Sequence, residues 1–356
     1  MRRGYRFAGL ISGVVAASLL IASCGGNDQK TLPSTKNKSL TTGTLVAPRL
    51  SFKNFSAANG LADDFVWAVS AMGTTLYVAT DNGLSFTTNG GTSFTNVTTA
   101  NGLPNNRVYD VSSSSIKVYV ATSGGLAYRS QNFSWVTRTS ANGLGQNYVY
   151  EVLEVGNDQV YAATDNGLSV SKAPFTSFSS ATPKSFTNYN MMTAGFGATR
   201  VTGIAVDGCN WYAATDGGTT DFRGGLSISR DCGKSWSTRT IANGLGHKDL
   251  NGVFVVGSTI YAATKAGLSI STDGGTTFTS RTSAQGLSGN SVRKVFVEGL
   301  TVYAATDNGL SISKDGGATF TTYTTDDGLG GNRIQNVSVI GSKVYVATNG
   351  GVSISQ

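Results

Sequence analysis

The sequence has few of the residues from which most active sites are built. It contains one histidine, His247, and its only glutamates are Glu151, Glu154 and Glu298. His247 stands in a stretch without thiols and with few acids, so we expect it to be a solvated loop residue and not part of a nucleophilic triad. Three cysteines without a CxxC pair cannot supply a zinc cage. The sequence therefore predicts a protein without catalytic activity, metal or cofactor.

Charge is also scarce, at 13% of the residues. The formal net charge of +7 includes three arginines close to the N-terminus, Arg2, Arg3 and Arg6. No run of lysine or arginine follows them. A nucleic-acid-binding surface needs such a basic cluster, so we expect no nucleic-acid partner.

Proline is rare, with 5 residues, whereas glycine is abundant, with 46. Helix-forming residues give way to Thr, Ser, Val, Tyr and Phe, a composition typical of twisted sheet with tight turns. One motif, Tyr-x-Ala-Thr, recurs seven times at a spacing close to 42 residues. The copies begin at Tyr77, Tyr119, Tyr161, Tyr212, Tyr261, Tyr303 and Tyr345, with steps of 42, 42, 51, 49, 42 and 42 residues. A fixed period of this length indicates a repeat architecture.

The copy that runs from residue 285 to 326 contains four predicted strands, over Val292–Val297, Thr301–Thr306, Leu310–Ser313 and Thr319–Tyr323. Asn-Gly and Gly-Gly turns separate them, as in antiparallel hairpins. A Gly-Leu pair in the linker recurs before each copy except the fourth, and its apolar residue is predicted to pack between neighbouring units. Four antiparallel strands in about 42 residues are typical of a propeller blade.

The two ends of the repeat region complement each other. The last copy stops after its third strand, and Leu50–Ala58 resembles a fourth strand that precedes the first copy. The sequence thus predicts an all-β, seven-bladed propeller over residues 50–356, with an N-terminal strand that closes the last blade and leaves no free edge.

Residues 1–23 are predicted to be a secretory leader, with a basic start and an apolar stretch over Phe7–Leu20. The leader ends in Ile21-Ala22-Ser23-Cys24, which resembles a bacterial lipobox. That resemblance implies acylation of Cys24 and anchoring in a membrane, the outer membrane in a Gram-negative host, because Gly25 replaces the aspartate that marks inner-membrane retention. Residues 24–49 then form the lipidated cysteine and a flexible tether.

Two propeller patterns overlap in the repeats. Ser-x-Asp-x-Gly-x-Thr-Phe/Trp resembles the Asp-box of sialidase-type and BNR-repeat propellers, at Asp231, Asp273 and Asp315. The Tyr-x-Ala-Thr-Asp-Asn-Gly-Leu half resembles the repeat of two-component-regulator propellers. Both resemblances imply the fold, and they imply a structural, turn-capping role for the three aspartates. The sialidase resemblance alone would imply a glycan-processing enzyme, but its Arg-Ile-Pro signature is missing.

Departures from the repeat provide the candidate binding residues. An insertion at Asp216–Gly225 lengthens one turn on the face that carries the blade linkers, with Asp221, Phe222 and Arg223 at its tip. Three arginines, Arg107, Arg200 and Arg333, occupy one shared position just after the linkers, where they are candidates to accept an anion or an acidic peptide. Both features are also compatible with loop drift and exposed solubility residues.

Cys209 and Cys232 fall in turns at one end of a single blade, so a disulfide between them is predicted for an exported protein, with two unpaired thiols as the alternative.

Taken together, the sequence predicts a monomeric envelope lipoprotein whose propeller binds or scaffolds a protein or glycan. The alternatives are a sialidase-like enzyme and a sensory or assembly-factor module.

Overall fold

The computed structural model describes residues 49–114, 117–130, 134–156, 159–171, 186–218 and 223–356. The predicted leader, Cys24 and nearly all of the predicted tether lie outside these residues. The described chain forms seven separate four-stranded antiparallel sheets, the blades of a seven-bladed propeller. The fold class predicted from the repeat is confirmed.

Blades 1 to 7 follow the chain. Blades 1 to 6 run outward in chain order from an innermost strand to an outermost one, and blade 7 does so for its first three strands. The innermost strands are β2 (Val66–Met72), β6 (Val108–Ser113), β10 (Val149–Val155), β14 (Arg200–Asp207), β18 (Leu250–Val256), β22 (Val292–Glu298) and β26 (Ile334–Ile340). The second strands are β3 (Thr75–Thr80), β7 (Lys117–Thr122), β11 (Gln159–Thr164), β15 (Asn210–Asp216), β19 (Thr259–Thr264), β23 (Thr301–Thr306) and β27 (Lys343–Thr348). The third strands are β4 (Gly83–Thr87), β8 (Gly125–Ser130), β12 (Gly167–Ser171), β16 (Gly225–Ser229), β20 (Gly267–Ser271), β24 (Gly309–Ser313) and β28 (Gly351–Ser355). The outermost strands are β5 (Thr95–Val97), β9 (Val136–Arg138), β13 (Phe186–Tyr189), β17 (Ser237–Arg239), β21 (Thr279–Arg281), β25 (Thr321–Tyr323) and β1 (Phe52–Phe55).

The ring closes through β1, which supplies the fourth strand of blade 7. Phe52 pairs with Ser355 and Phe55 with Val352, in an antiparallel ladder between the first and last strands of the fold. Both phenylalanine side chains are buried. The predicted N-terminal closure is therefore confirmed, within a strand shorter than Leu50–Ala58.

The repeated threonine of Tyr-x-Ala-Thr holds the turn between the second and third strands. In blade 6 the buried Thr306 hydroxyl donates to the Gly309 carbonyl at 2.9 Å and accepts the Asn308 backbone N–H at 3.1 Å. Gly309 has a φ of +133°, and a Cβ there would lie 2.6 Å from the Tyr323 carbonyl oxygen. The turn therefore requires glycine, which explains why this position is Gly in every copy.

The linkers between blades contain one short helical turn each, which the sequence did not predict. Six are 3₁₀ turns and one, α1 (Met191–Ala194), is a single α-helical turn. The 3₁₀ turns are Ala57–Asn59, Thr99–Asn101, Ser140–Asn142, Ile241–Asn243, Ser283–Gln285 and Thr325–Asp327. Each ends at the linker glycine with positive φ, such as Gly286 at +91°.

The apolar residue after that glycine packs between neighbouring blades. Leu103 lies in one buried cluster with Leu84 and Val97 of blade 1 and with Val108 and Val118 of blade 2. Seven such clusters follow the seams of the ring, so the core is distributed between blades and does not form one central mass. The predicted packing role of the linker residue is confirmed.

The outer strand of blade 6 is shorter than the predicted Thr319–Tyr323. The strand begins at Thr321, because the backbone N–H and the hydroxyl of Thr319 both donate to the Asp315 carboxylate, at 2.9 and 2.6 Å. Thr319 thus belongs to the preceding turn and not to the β-ladder.

Candidate functional site

Every innermost strand carries a β-bulge at the same position. In β2, for example, the register shifts between Val66 and Ala68, so Trp67 is an extra residue without its own partner in β3. The seven extra residues, here called the bulge residues, are Trp67, Tyr109, Tyr150, Thr202, Asn251, Arg293 and Gln335. A bulge redirects the side chain of the extra residue. The fold therefore presents one variable side chain per blade toward the propeller axis.

All seven bulge residues line a single cavity of about 410 Å³. Arg107, Tyr148 and Arg200, which directly precede or begin their innermost strands, line its mouth, and Asp110, Lys294 and Asn336 lie just past the bulges. This volume is within the range of small-molecule sites, roughly 300–1,000 Å³. The cavity is the strongest candidate site in the described part of the chain.

Blades 1 to 3 contribute an uninterrupted series of rings, here called the aromatic arc: Phe65, Trp67, Tyr109, Tyr148 and Tyr150. Ring centroids of successive members lie 4.8, 5.1, 5.1 and 4.9 Å apart. Such tilted and edge-to-face contacts are favourable geometries for aromatic pairs. The arc gives one half of the cavity an aromatic wall.

The polar ends of the arc are already bonded within the protein. The Trp67 indole N–H donates to Asp81 Oδ1 at 2.8 Å, the Tyr150 hydroxyl donates to Asp165 Oδ1 at 3.0 Å, and the Tyr109 and Tyr148 hydroxyls bond each other. Burial raises the pKa of both Tyr109 and Tyr150, so these phenols stay neutral. The arc therefore offers a ligand mainly ring surface.

Blades 4 to 7 contribute polar bulge residues. The Thr202 hydroxyl donates to the Leu250 carbonyl at 2.7 Å, and the Asn251 amide donates to the Val292 carbonyl at 2.8 Å. Gln335 is only 5% exposed, and its Nε2 has no hydrogen-bond partner among the described residues. A buried amide donor without a partner is costly, which marks Gln335 as a group available to a ligand.

The three arginines predicted to accept an anion lie around the cavity mouth. Arg107 pairs with Asp81 at 2.9 Å, Arg200 with Asp165 at 2.8 Å, and Arg333 lies 3.7 Å from Asp307 without lining the cavity itself. Each aspartate belongs to the second-to-third-strand turn of the preceding blade. That these arginines accept an anion stays a prediction. Each guanidinium charge is already balanced by one of the turn aspartates.

The seam between blades 4 and 5 has a different charge pattern. Asp249 of blade 5 occupies the position of the arginines and pairs at 3.3 Å with Lys265, from the second-to-third-strand turn of its own blade. Lys265 also lies 3.1 Å from Asp216, in the corresponding turn of blade 4. Although burial opposes it, hydrogen bonds from Lys248 and Lys265 lower the pKa of Asp249. His247 Nδ1 accepts the Asp249 backbone N–H at 2.9 Å. His247 therefore caps a turn.

The insertion predicted as a binding loop begins at this buried Asp216. Its tip residues Asp221 and Phe222 lie outside the described residues, whereas Arg223 is described and exposed. Their role in binding stays a prediction.

Three charged side chains from different blades meet beneath the bulge residues. Lys294 Nζ of blade 6 crosses to Glu151 Oε2 of blade 3 at 2.7 Å. Gly252 gives it room, because a Cβ there would lie 3.1 Å from Lys294 Cδ. Asp110 of blade 2 accepts the Val152 backbone N–H at 2.9 Å. Burial, followed by the charge of Glu151, raises the pKa of Asp110 well above its usual value.

The aspartates of the Ser-x-Asp-x-Gly turns, Asp231, Asp273 and Asp315, lie away from the cavity lining and bond their own turns. Asp315 Oδ1 accepts the Ser313 hydroxyl at 2.6 Å, and Asp273 Oδ1 accepts the Thr277 N–H at 3.0 Å. Hydrogen bonds, first from the Ser235 hydroxyl, lower the pKa of Asp231 to about 2. The geometry agrees with turn capping.

The structure joins Cys209 and Cys232 in a disulfide, with Cα atoms 4.2 Å apart. The Cys232 N–H also donates to the Cys209 carbonyl at 3.0 Å, so the two turns of blade 4 are in direct contact. Cys232 has a φ of +58°, at a position where other blades have glycine.

Two further observations concern the described residues only. No group of three or more His, Cys, Asp or Glu side chains in them is arranged to hold a metal ion. No described helix has the length and apolar character needed to cross a membrane.

The bulge residues and the aromatic arc were not predicted from the sequence. Each bulge residue stands two places after the arginine position of its repeat. The residues at that position are Trp, Tyr, Tyr, Thr, Asn, Arg and Gln, six residue types in seven copies. The variation at this position can be seen when the repeats are aligned. Only the structure shows that the β-bulges direct all seven side chains toward one cavity.

Comparison with known proteins supports the fold. No protein-family model matches the sequence, and no curated protein sequence matches it. The extracellular domain of a hybrid two-component system from B. thetaiotaomicron is similar in structure, with a TM-score of 0.71 and 18% identity over 86% of this chain and 41% of that one. YCF48 from Cyanidioschyzon merolae has a TM-score of 0.59 and 14% identity over 86% of this chain and 98% of its own. YCF48 bound to D1 peptide has a TM-score of 0.63 and 12% identity, over 87% and 97%.

These identities show a common fold and no more. The chain spans about two fifths of the length of the two-component-system domain that it matches.

Proposed function

We propose that this chain is an exported lipoprotein whose propeller binds a protein or glycan partner at the cell envelope, without catalysis, through the mouth of the central cavity. The observation that carries the proposal is the contrast between the bulge residues and the rest of the repeat. Tyr-x-Ala-Thr is the same in all seven blades, whereas the cavity position differs in nearly every blade. Positions that line a cavity and vary from blade to blade on a constant framework are expected of a recognition surface.

Two groups that could act as a general base are engaged within the protein, which favours binding over catalysis in this proposal. Glu151 is paired with Lys294, and His247 accepts a backbone N–H. A general base must be free to take a proton from a bound substrate. A sialidase-like enzyme is the alternative, and turnover of any glycoside by the purified protein would favour it.

The similar structures are consistent with a sensory or assembly role, the other alternative that the sequence leaves open. One is the extracellular domain of a signalling system, and another is a propeller bound to a peptide. Export fits the predicted leader, and the lipobox-like Cys24 would hold the chain at a membrane, the outer membrane in a Gram-negative host. In this proposal the propeller acts as a monomer.

Site-directed photo-crosslinking in intact cells tests the proposal. Ser291 precedes β22 at the mouth, and Leu300 lies in the turn at the other end of the same strand. A photo-reactive residue at position 291 should capture a partner that position 300 does not, and Trp67→Ala should abolish the product. Equal capture from both positions, or capture that is insensitive to Trp67→Ala, would place binding elsewhere.

A further inference from the structure

The charged side chains that line the cavity are balanced, with one exception. Five of the six form ion pairs: Arg107 with Asp81, Arg200 with Asp165, Arg293 with Asp307, Asp216 with Lys265, and Lys294 with Glu151. The sixth is Asp110. No lysine, arginine or histidine among the described residues forms an ion pair with it.

Asp110 is held in place without being neutralised. Its Oδ2 accepts the Val152 N–H of the next blade at 2.9 Å, and the carboxyl group faces the cavity. The charged groups around it are Glu151, which is repulsive, and Lys294, whose ammonium is engaged by Glu151 at 2.7 Å. Its pKa is raised chiefly by desolvation and next by the charge of Glu151.

The aromatic arc beside Asp110 already attracts cations at its two ends. The guanidinium of Arg333 lies 5.9 Å from the Phe65 ring centroid, and that of Arg200 lies 5.5 Å from the Tyr150 ring centroid. Trp67 and Tyr109 lie between these ends, and their polar groups are engaged by Asp81 and Tyr148. Indole and phenol rings are good cation–π acceptors, and the attraction grows when the cation is desolvated.

We propose that the cavity binds an organic ammonium group, with Asp110 as its counter-ion and the rings of Trp67 and Tyr109 as its aromatic wall. The inference rests on the proposed function and specifies the chemistry of its ligand. The ammonium group would come either from a lysine side chain of a protein partner or from a small alkylamine. Gln335, whose buried amide has no partner among the described residues, would donate to a carbonyl or hydroxyl oxygen carried by the same ligand.

Binding and protonation are coupled in this arrangement. A cation favours the ionised carboxylate, so a ligand that meets protonated Asp110 displaces its proton into solvent. Affinity should therefore rise with pH until the pH exceeds the pKa of Asp110 and then level off. In Asp110→Asn this rise should disappear.

The experiment is calorimetric titration of the full-length protein in detergent. The probes are n-butylammonium and Nα-acetyl-lysine methylamide, with n-butanol and Nα-acetyl-norleucine methylamide as neutral analogues of the same shape. We expect both ammonium probes, or one of them, to bind about tenfold or more tightly than the neutral analogue. Binding of the amine alone would indicate a small-molecule source, and binding of the lysine derivative would indicate a protein source.

Two matched variants locate the site. Asp110→Asn keeps an oxygen acceptor for the Val152 N–H and should weaken ammonium binding about tenfold or more. Asp315→Asn removes the same charge from a turn that lies away from the cavity lining, so affinity should change by less than about threefold. Circular dichroism checks that both variants fold.

Equal binding of neutral and ammonium probes, absence of binding by both ammonium probes, or equal losses in the two variants would overturn the inference. The proposed function would survive those results if Trp67→Ala still abolished crosslinking at position 291. The proposed function would be wrong if crosslinking did not depend on the cavity, whatever the calorimetric titration shows.

Discussion

Asp165 of blade 3 pairs with Arg200 of blade 4, with 2.8 Å between Oδ1 and Nε. The same oxygen accepts the Tyr150 hydroxyl at 3.0 Å. One turn carboxylate thus holds the bulge residue of its own blade and the mouth arginine of the next. Asp81 and Asp307 repeat this arrangement with Trp67 and Arg107 and with Arg293 and Arg333. The cavity mouth is therefore fixed across the blade seams.

Replacement of Asp165 should weaken the contacts at the cavity mouth more than it destabilises the fold of the ring. We expect Asp165→Asn to lower the free energy of unfolding by about 1–2 kcal/mol, from one hydrogen bond and one half-exposed ion pair. A double-mutant cycle with Arg200→Gln should give a coupling energy of about 0.5–1 kcal/mol in chemical denaturation. A coupling near zero would show that the pair does not connect the blades.

Removal of β1 should be far more damaging. Deletion of Leu50–Ala58 exposes the edge of β28 and removes the buried Phe52 and Phe55. We expect aggregation, or a fall of more than about 10 °C in the melting temperature measured by differential scanning fluorimetry. Phe55→Ala is the milder variant and should cost about 3–5 kcal/mol with the strand retained. A deletion variant that melts like the parent would contradict closure by β1.

The Cys209–Cys232 disulfide closes a loop with a sequence separation of 23 residues. We expect the Cys209→Ser, Cys232→Ser double variant to lose about 3 kcal/mol of stability under oxidising conditions. The parent in a reducing buffer is the matched control and should show a similar loss. Mass spectrometry after alkylation should find no reactive thiol in this pair in freshly exported protein, and two modified cysteines would refute the bond.

The turn aspartates should make the fold sensitive to acid. The pKa of Asp231 falls to about 2 in the folded state, below the value of about 4 expected for an unfolded chain. Its contribution to the free energy of unfolding is fully present at a pH above the pKa of the unfolded state. That contribution is lost as the pH drops through the pKa of the folded state. Hydrogen bonds, chiefly from the Thr277 backbone and the Ser313 hydroxyl, also lower the pKa of Asp273 and Asp315.

Replacing all three aspartates by asparagine should therefore flatten the dependence of the melting temperature on pH between about 4 and 2. Asparagine suits the turn, because Asn89 occupies this position in blade 1 and accepts the Ser93 N–H at 3.1 Å. An unchanged acid profile would assign the acid sensitivity to other groups.

The anchor lies outside the described residues and is tested separately. Cys24→Ser should release the protein from membranes into the soluble fraction, because acylation is the only membrane attachment that the sequence predicts. Detergent phase partitioning measures the release. Ser34→Thr changes only the predicted tether, leaves Ile21-Ala22-Ser23-Cys24 intact and serves as a control. Unchanged partitioning of Cys24→Ser would exclude lipidation at this site.

The sequence predicted the ring because its signals were local and repeated. Tyr-x-Ala-Thr followed by a turn glycine specifies the second strand, its turn and the start of the third in every copy. The match between Leu50–Ala58 and the missing last strand then predicted closure. Local chemistry of this kind can be recognised without knowledge of tertiary contacts.

The cavity was less accessible to sequence reasoning. The ion pair between Asp165 and Arg200 joins residues 35 positions apart, and the contact between Lys294 and Glu151 crosses the ring. Both contacts depend on how blades meet. The arginines were found through their shared position, but their aspartate partners were not, because those belong to different copies of the repeat.

The seven bulges have a consequence for how such a protein can change. A bulge residue lies outside the cross-strand pairing of its sheet, so its replacement disturbs no opposite residue in the ladder. Substitution of one bulge residue can therefore change the cavity wall in one blade while the β-ladders stay the same. Duplication of a blade also duplicates its bulge position, where a new side chain can introduce a new binding specificity. The seven bulge positions are therefore suited to randomisation in combinatorial libraries.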